Sequence, residues 1–177
     1  DTEYTPDNFL VRYSMATRNR LGAPNPWVVE PGAHRCPDSI PTAPTVIFHN
    51  VEADLDHLGR LLEPHVVAPT LEDTMSLPAC LWADLDHDLD FLGSLYARTN
   101  RWKHLMRSNP RVYAGGDALG TWDAWEPLQA ELARDPQVRK AYYEYQLPLD
   151  AIIHRARAFG LRVVPDRVQQ VLGSRAT

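Results

Sequence analysis

The chain of 177 residues has a net charge of −5, with 44% hydrophobic and 23% charged side chains, which excludes a wholly disordered protein. It is long enough to bury a core without disulfides or a structural metal, and its apolar runs are too short to cross a bilayer. The charge is uneven, because residues 1–97 carry 15 acidic and 5 basic side chains (−10), whereas residues 98–177 carry 8 acidic and 13 basic ones (+5). This asymmetry is typical either of a surface that faces a polyanion or of two halves that attract each other.

The N-terminal half is rich in proline and in turn-forming residues. Ten of the fifteen prolines precede residue 79, and proline fixes φ and removes a backbone donor, so this irregular half cannot form a long helix. We predict a single domain, 1–177, in which residues 1–44 form an extended arm or surface loop and residues 45–177 form the compact core. Short strands bounded by Pro, Gly or Asn are predicted at Phe9–Tyr13, Trp27–Val29, Val46–His49 and His65–Val67.

Helical spacing of apolar residues predicts helices from residue 54 onward. Four leucines predict a helix that begins near Asp54 and ends before Pro64, and a longer apolar stripe predicts one helix from Leu85 to about Ser108. Capping residues and first-turn prolines predict further helices near Asp123–Pro127, at Asp135-Pro136, from Pro148 to Gly160, and from Pro165-Asp166 to Gly173.

A hairpin is predicted where two short apolar runs, Arg111–Ala114 and Ala118–Trp122, flank Gly115-Gly116-Asp117. Leu161–Val164 is predicted as one more strand. The fold class that follows is α+β, with a short-stranded sheet packed against helices. From residue 79 the order of elements is compatible with a ferredoxin-like βαββαβ sheet.

Acidic residues are densest just after the apolar run at residues 79–82. Asp84, Asp86, Asp88 and Asp90 repel one another unless a cation neutralises them, and hard divalent cations prefer carboxylate oxygen. The alternative is structural, since acidic residues at a helix N-terminus stabilise the helix by about 0.3–1 kcal/mol each without any metal.

The pattern Asp84-Leu-Asp86, then a helix, then Gly115-Gly116-Asp117, resembles the palm of nucleotide cyclases and of the polymerase-like CRISPR proteins. The resemblance implies that Asp84, Asp86 and Asp117 bind Mg²⁺ or Mn²⁺ and that the two glycines admit a phosphate. The chain departs from that family at Ala118, where the family has a second acidic residue, and we assign it to no family.

A basic run extends from residue 98 to residue 111 and contains no acidic residue. Interleaved aromatic residues suit stacking on bases, so a nucleic-acid-binding helix is one hypothesis. The alternative is that Tyr96 and Trp102 lie in the core and that the basic residues are the solvated face of an amphipathic helix. For an enzyme, Arg98 and Arg101 are the candidates to bind phosphate. In the tail, Tyr142, Tyr143 and Tyr145 suit either an interface or the core.

The two cysteines, Cys36 and Cys80, are too few for a disulfide framework and lack the C-x-x-C spacing of a zinc site. Reduced thiols and a cytoplasmic location are the favoured interpretation. A secreted protein with one disulfide stays open, because the sequence begins at Asp1 and the native N-terminus is not visible.

Three functional hypotheses follow. The favoured one is a non-catalytic interaction or assembly protein, whose proline-rich arm reaches a protein partner or a second copy of the chain. The second is a Mg²⁺- or Mn²⁺-dependent enzyme that acts on nucleotides or phosphate esters at Asp84, Asp86 and Asp117. The third is a nucleic-acid-binding module that uses the basic helix 98–111.

Overall fold

A computed structural model of the chain describes residues 2–4, 10–18, 24–29, 45–54, 70–98, 100–160 and 164–174. The predicted strand at His65–Val67 lies outside these residues, as do most of the predicted helix after Asp54 and most of the predicted strand at Leu161–Val164. The other predicted elements are described at least in part.

Three strands from the N-terminal segment form an antiparallel sheet in the order β1-β2-β3. They are β1 (Thr2–Tyr4), β2 (Leu10–Arg18) and β3 (Pro24–Val29). The strand predictions are confirmed for residues 10–13 and 27–29, and prolines lie in β3, which borders the sheet on one side. The division into an arm of residues 1–44 and a core stays a prediction, although part of that segment is sheet.

A second sheet consists of two parallel strands, β4 (Thr45–Phe48) and β5 (Thr70–Asp73). Parallel strands need a long crossover between them, and residues 51–54 begin it as a helical turn. The carboxyl ends of both strands therefore lie at the same edge of this sheet. The predicted strand at residues 46–49 is confirmed, and β5 was not predicted.

The second half of the chain is helical. Its helices, in chain order, are α1 (Ser76–Leu81), α2 (Leu89–Tyr96), α3 (Pro110–Leu132), α4 (Pro136–Ala141), α5 (Leu147–Phe159) and α6 (Pro165–Ser174). A 3₁₀ turn lies at Lys103–Leu105, and residues 142–146 form one turn of π-helix that joins α4 to α5 without a break. We call this segment the π turn. The coarse α+β class is confirmed.

Helix α3 is the central element, because it contacts β2, β3 and β4 as well as helices α1, α2 and α4. The fully buried side chains of the main core come from four different parts of the chain: Leu77, Leu92, Ala124, Leu128, Leu132 and Tyr142. Burial of each of the leucines stabilises the fold by about 1.5–3 kcal/mol. The core therefore fixes α3 and the π turn against α1 and α2.

The predicted hairpin at residues 111–122 is wrong, because those residues lie in α3. Asn109 caps this helix by accepting a hydrogen bond from the backbone N–H of Val112, and Pro110 occupies the first turn, where its missing N–H costs nothing. The pair Asn109-Pro110 thus begins a helix instead of ending one. Since every regular element after Asp73 in the described residues is helical, the ferredoxin-like sheet, which depended on that hairpin, is not confirmed.

The predicted helix from Leu85 to Ser108 is shorter in the structure. Helix α2 ends at Tyr96, and Ala97 is extended. The backbone N–H of Arg98 donates to the Asp123 carboxylate on α3, at 2.9 Å, which directs the chain away from a helical path. The basic run 98–111 is accordingly a loop, a 3₁₀ turn and the start of α3, and not one helix.

The helix start predicted near Asp123–Pro127 is wrong, because both residues lie inside α3. Three other predictions from local capping are confirmed. Asp135 caps α4 with Pro136 in its first turn, α5 ends before Gly160, whose φ is 66°, and α6 begins at Pro165. None of the described helices combines the length and the apolar character that a bilayer crossing requires.

Candidate functional site

The acidic residues at positions 84–90 lie on the surface before and at the start of α2. Asp84 and Asp86 are exposed, Asp88 caps α2 by accepting from the backbone N–H of Phe91 at 2.7 Å, and Asp90 lies in the first turn. The structural interpretation of Asp88 and Asp90 is therefore confirmed.

Asp117, the third predicted metal ligand, is buried inside the fold. Its Oδ1 atom accepts a hydrogen bond from Trp102 Nε1 at 2.6 Å and lies 2.7 Å from Lys103 Nζ. A charged amine and an indole N–H thus already neutralise and satisfy this carboxylate. In the described part of the chain, no group of three or more His, Cys, Asp or Glu side chains is arranged to hold a metal ion, so the site at Asp84, Asp86 and Asp117 is not confirmed.

The two glycines of the predicted phosphate loop lie in α3, and Gly116 contacts the indole of Trp102. A methyl group in place of its hydrogen would lie 2.4 Å from two ring atoms, and Gly93 and Gly120 approach the same indole. Glycine costs about 1 kcal/mol relative to alanine in a helix, but any larger residue here would overlap the indole of Trp102. Packing accounts for Gly116, and Gly115 is buried in the same helix.

The two arginines proposed as phosphate ligands lie in the loop after α2. The guanidinium of Arg98, which is largely exposed, lies 3.8 Å from Asp123 and 3.9 Å from Glu126. Arg101 is exposed and adjoins the buried Trp102. The prediction that Trp102 belongs to the core is confirmed.

The carboxyl edge of the parallel sheet carries a partly buried histidine, His49. Thr74 Oγ1 donates to the Phe48 carbonyl at 3.1 Å, so it must accept the other hydrogen bond, 3.1 Å long, from His49 Nδ1. This arrangement fixes the proton on Nδ1 and makes Nε2 the acceptor. Burial lowers the pKa of His49, against the opposing effect of Asp73, and favours the neutral ring.

Asp73, beside this histidine, binds backbone N–H groups. Its two carboxylate oxygens accept hydrogen bonds from the N–H groups of Asn50, Val51 and Met75, at 2.8–3.1 Å. Asn50 has a φ of 68°, which Asn tolerates better than most residues. Asp73 thus connects the end of β4 to the turn after β5, and its lone pairs are used.

A second buried carboxylate, Glu72, lies between two tyrosines. Tyr142 donates to Glu72 Oε2 at 3.0 Å and accepts from the Asp73 backbone N–H at 3.1 Å, while Tyr143 lies 3.2 Å from Oε1 and Gln129 donates to Oε2 at 3.3 Å. Burial raises the pKa of Glu72, and the three hydrogen bonds oppose that effect. This network connects β5 to α3 and to the π turn.

Cys80 is a free, partly buried thiol next to the core, and burial raises its pKa. A raised pKa reduces the thiolate fraction and with it the reactivity of the residue. Cys36 lies outside the described residues.

The outward face of the π turn and α5 is apolar and exposed. Tyr145, Leu149, Ile152, Ala156 and Phe159 follow one another at intervals of four, three, four and three residues, and all are exposed. This heptad spacing places them along one side of a helix over about 21 Å. Phe159 keeps 90% of its surface, and Ile152 keeps 53%. We call these five residues the outer stripe.

Buried residues of the same helical segment lie mainly near its start. Tyr142 is fully buried, Asp150 is buried and accepts from Gln146 at 2.7 Å, and Arg157 forms an ion pair with Glu52. Burial of Tyr142 and Asp150 directs these two side chains inward and leaves the outer stripe facing outward.

Sequence reasoning identified the tyrosines of the π turn as candidates for an interface or the core, but it missed the outer stripe. The signal was present, since the four-three-four-three spacing is visible in the sequence. Ile153 and Leu147 add apolar residues on other sides of the helix, so spacing alone does not identify the exposed face.

Comparison of the chain with protein-family models, with curated proteins and with solved structures finds no match.

Proposed function

We propose that this protein is a non-catalytic interaction and assembly module, and that the outer stripe is the surface that binds another polypeptide. The observation that carries the proposal is a row of exposed apolar side chains along a helical segment that is anchored in the core by Tyr142 and Leu147 at its start. Contiguous apolar surface of this kind is uncommon on isolated soluble proteins and is typical of docking sites. Burial of the exposed half of one such leucine or isoleucine would contribute about 1 kcal/mol.

The buried carboxylates support the same proposal, because groups of the protein itself already bind them. The carboxylates of Asp73 and Asp117 accept hydrogen bonds or ion pairs from the protein itself, and Glu72 receives three donors. Groups occupied in this way stabilise the fold and have little capacity left for a ligand. The metal-dependent enzyme and the nucleic-acid-binding module remain hypotheses, and no contact described above favours either.

The proline-rich arm at residues 1–44 belongs to the same proposal as a second contact element. Its strands β2 and β3 lie against α3, so deletion of the arm would also uncover that helix. A point substitution in the outer stripe is therefore the sharper test.

The test compares Leu149→Asp with Leu95→Asp, because the two leucines are 48% and 52% exposed and only the first lies in the outer stripe. Light scattering coupled to gel filtration gives the mass of each purified variant, and native gel filtration of a cell extract gives the size of its complexes. We expect wild type and Leu95→Asp to assemble, alone or in the extract, and Leu149→Asp to remain at 20.1 kDa. Monomeric wild type in both samples would refute the proposal.

A further inference from the structure

We infer that the partner of the outer stripe is a second copy of this chain, bound antiparallel through the same stripe. This inference rests on the proposed function and adds the identity and orientation of the partner. Heptad spacing is self-complementary, because the side chains of one helix fit the gaps between those of an identical helix. A two-fold interface of this kind is the commonest arrangement in soluble oligomers.

The charges beside the outer stripe determine the orientation. Glu144 and Arg155 are both exposed and lie eleven residues apart, which is close to three helical turns. They therefore lie on the same flank of the stripe, with the acidic group near one end and the basic group near the other.

An antiparallel pair brings opposite charges together. A two-fold axis between residues 150 and 151 places Leu149 opposite the partner's Ile152 and keeps corresponding flanks on the same side. Glu144 then lies about two residues, or about 3 Å along the axis, from the partner's Arg155, a distance that the arginine side chain spans. The symmetry repeats this contact at the other end of the interface.

A parallel two-fold pair would place corresponding flanks on opposite sides of the interface, so Glu144 and the partner's Arg155 would not meet. The attraction between these two charges is therefore available only in the antiparallel form. Glu144 also lies 3.7 Å from Lys140 on its own helix, an exposed contact that leaves the carboxylate accessible.

The length of the outer stripe indicates the strength of the contact. Two heptads are fewer than an isolated coiled coil requires, but here the helix is already formed in the monomer. Val168 and Leu172 in α6, and Val164 just before it, are exposed at intervals of four residues and offer further apolar surface nearby in the sequence. We therefore expect a weak dimer, with a Kd of about 1–100 µM, as for small interfaces in general.

Charge reversal tests the inference on the full chain by sedimentation equilibrium. Glu144→Arg and Arg155→Glu should each raise the dimer Kd about tenfold or more, because each turns two attractive contacts into repulsive ones. The double variant restores opposite charges and should return the Kd to within about threefold of wild type.

The outcomes separate the inference from the proposed function. A double variant as weak as either single variant, or single variants that bind like wild type, would overturn the antiparallel arrangement. Purified wild type that stays monomeric, while the extract contains a larger complex that Leu149→Asp abolishes, would overturn self-association and leave the proposed function intact.

Discussion

Large apolar side chains have opposite environments in two regions of the molecule: Trp102 is buried, and the outer stripe is exposed. The indole of Trp102 is 6% exposed, fits against three glycines, and donates its N–H to a buried carboxylate. The side chains of the outer stripe lie on a fixed helix and contact water. The indole N–H of Trp102 and the amine of Lys103 both contact Asp117, whereas the outer stripe has apolar surface without a partner in the described residues. The first region stabilises the fold, and the second is the surface proposed to bind a partner.

The largest expected effect on stability is that of Gly116→Ala, which tests the packing around Trp102. The added methyl group would lie 2.4 Å from the indole, so Trp102 must leave its position, and we expect a loss of about 3 kcal/mol or more in the free energy of unfolding. Urea denaturation followed by circular dichroism measures it. Gly173→Ala in α6 is the control, because nothing lies within 4 Å of that position. A loss below about 1 kcal/mol for Gly116→Ala would show that the packing around Trp102 is loose.

A smaller effect is expected for Tyr142→Phe. The change removes the hydroxyl that donates to Glu72 and accepts from the Asp73 backbone, so both buried groups lose a partner, at a cost of about 1–3 kcal/mol. Tyr145→Phe in the same π turn is the matched control, since Tyr145 is exposed and belongs to the outer stripe. Equal unfolding free energies for the two variants would contradict the role assigned to the Glu72 network.

The pH dependence of Glu72→Gln gives a finer test of the same network. Because burial raises the pKa of Glu72 above its ordinary value of 4.5, the folded state binds the proton more tightly than the unfolded state. Its contribution to wild-type stability is thus fully present below pH 4.5 and is lost as the pH rises through the raised pKa. Glutamine does not titrate, so the melting temperature of the variant should rise relative to that of wild type between pH 4 and pH 7. A difference that stays constant, or changes in the other direction, would contradict the raised pKa.

Local signals in the sequence predicted much of the helical half. Asp135-Pro136 and Gly160 act through their own backbone geometry, which is why a cap and a helix end could be placed from the residues alone. Gly115-Gly116 misled the prediction, because the reason for Gly116 is a contact with Trp102, fourteen residues earlier. A contact of that kind depends on tertiary packing, which residue spacing does not contain.

The candidate site shows the same limit. The acidic cluster after residue 82 attracted attention by its charge, yet Asp88 caps a helix, and Asp117 binds Trp102 and Lys103. The outer stripe was visible as a heptad pattern, but its exposure depends on which side of the helix Tyr142 and Asp150 bury. Only the packed structure decides that question.

The most direct test of the account is the mass of the wild-type protein and of Leu149→Asp, measured by sedimentation equilibrium from about 1 to 300 µM, a range that spans the expected Kd. We expect wild type to rise from 20.1 kDa towards twice that mass and Leu149→Asp to stay at 20.1 kDa. At protein concentrations well below the expected Kd, both should unfold at the same urea concentration. Dimerisation that is equally strong in Leu149→Asp would contradict the account, because it would place the contact surface elsewhere on the molecule.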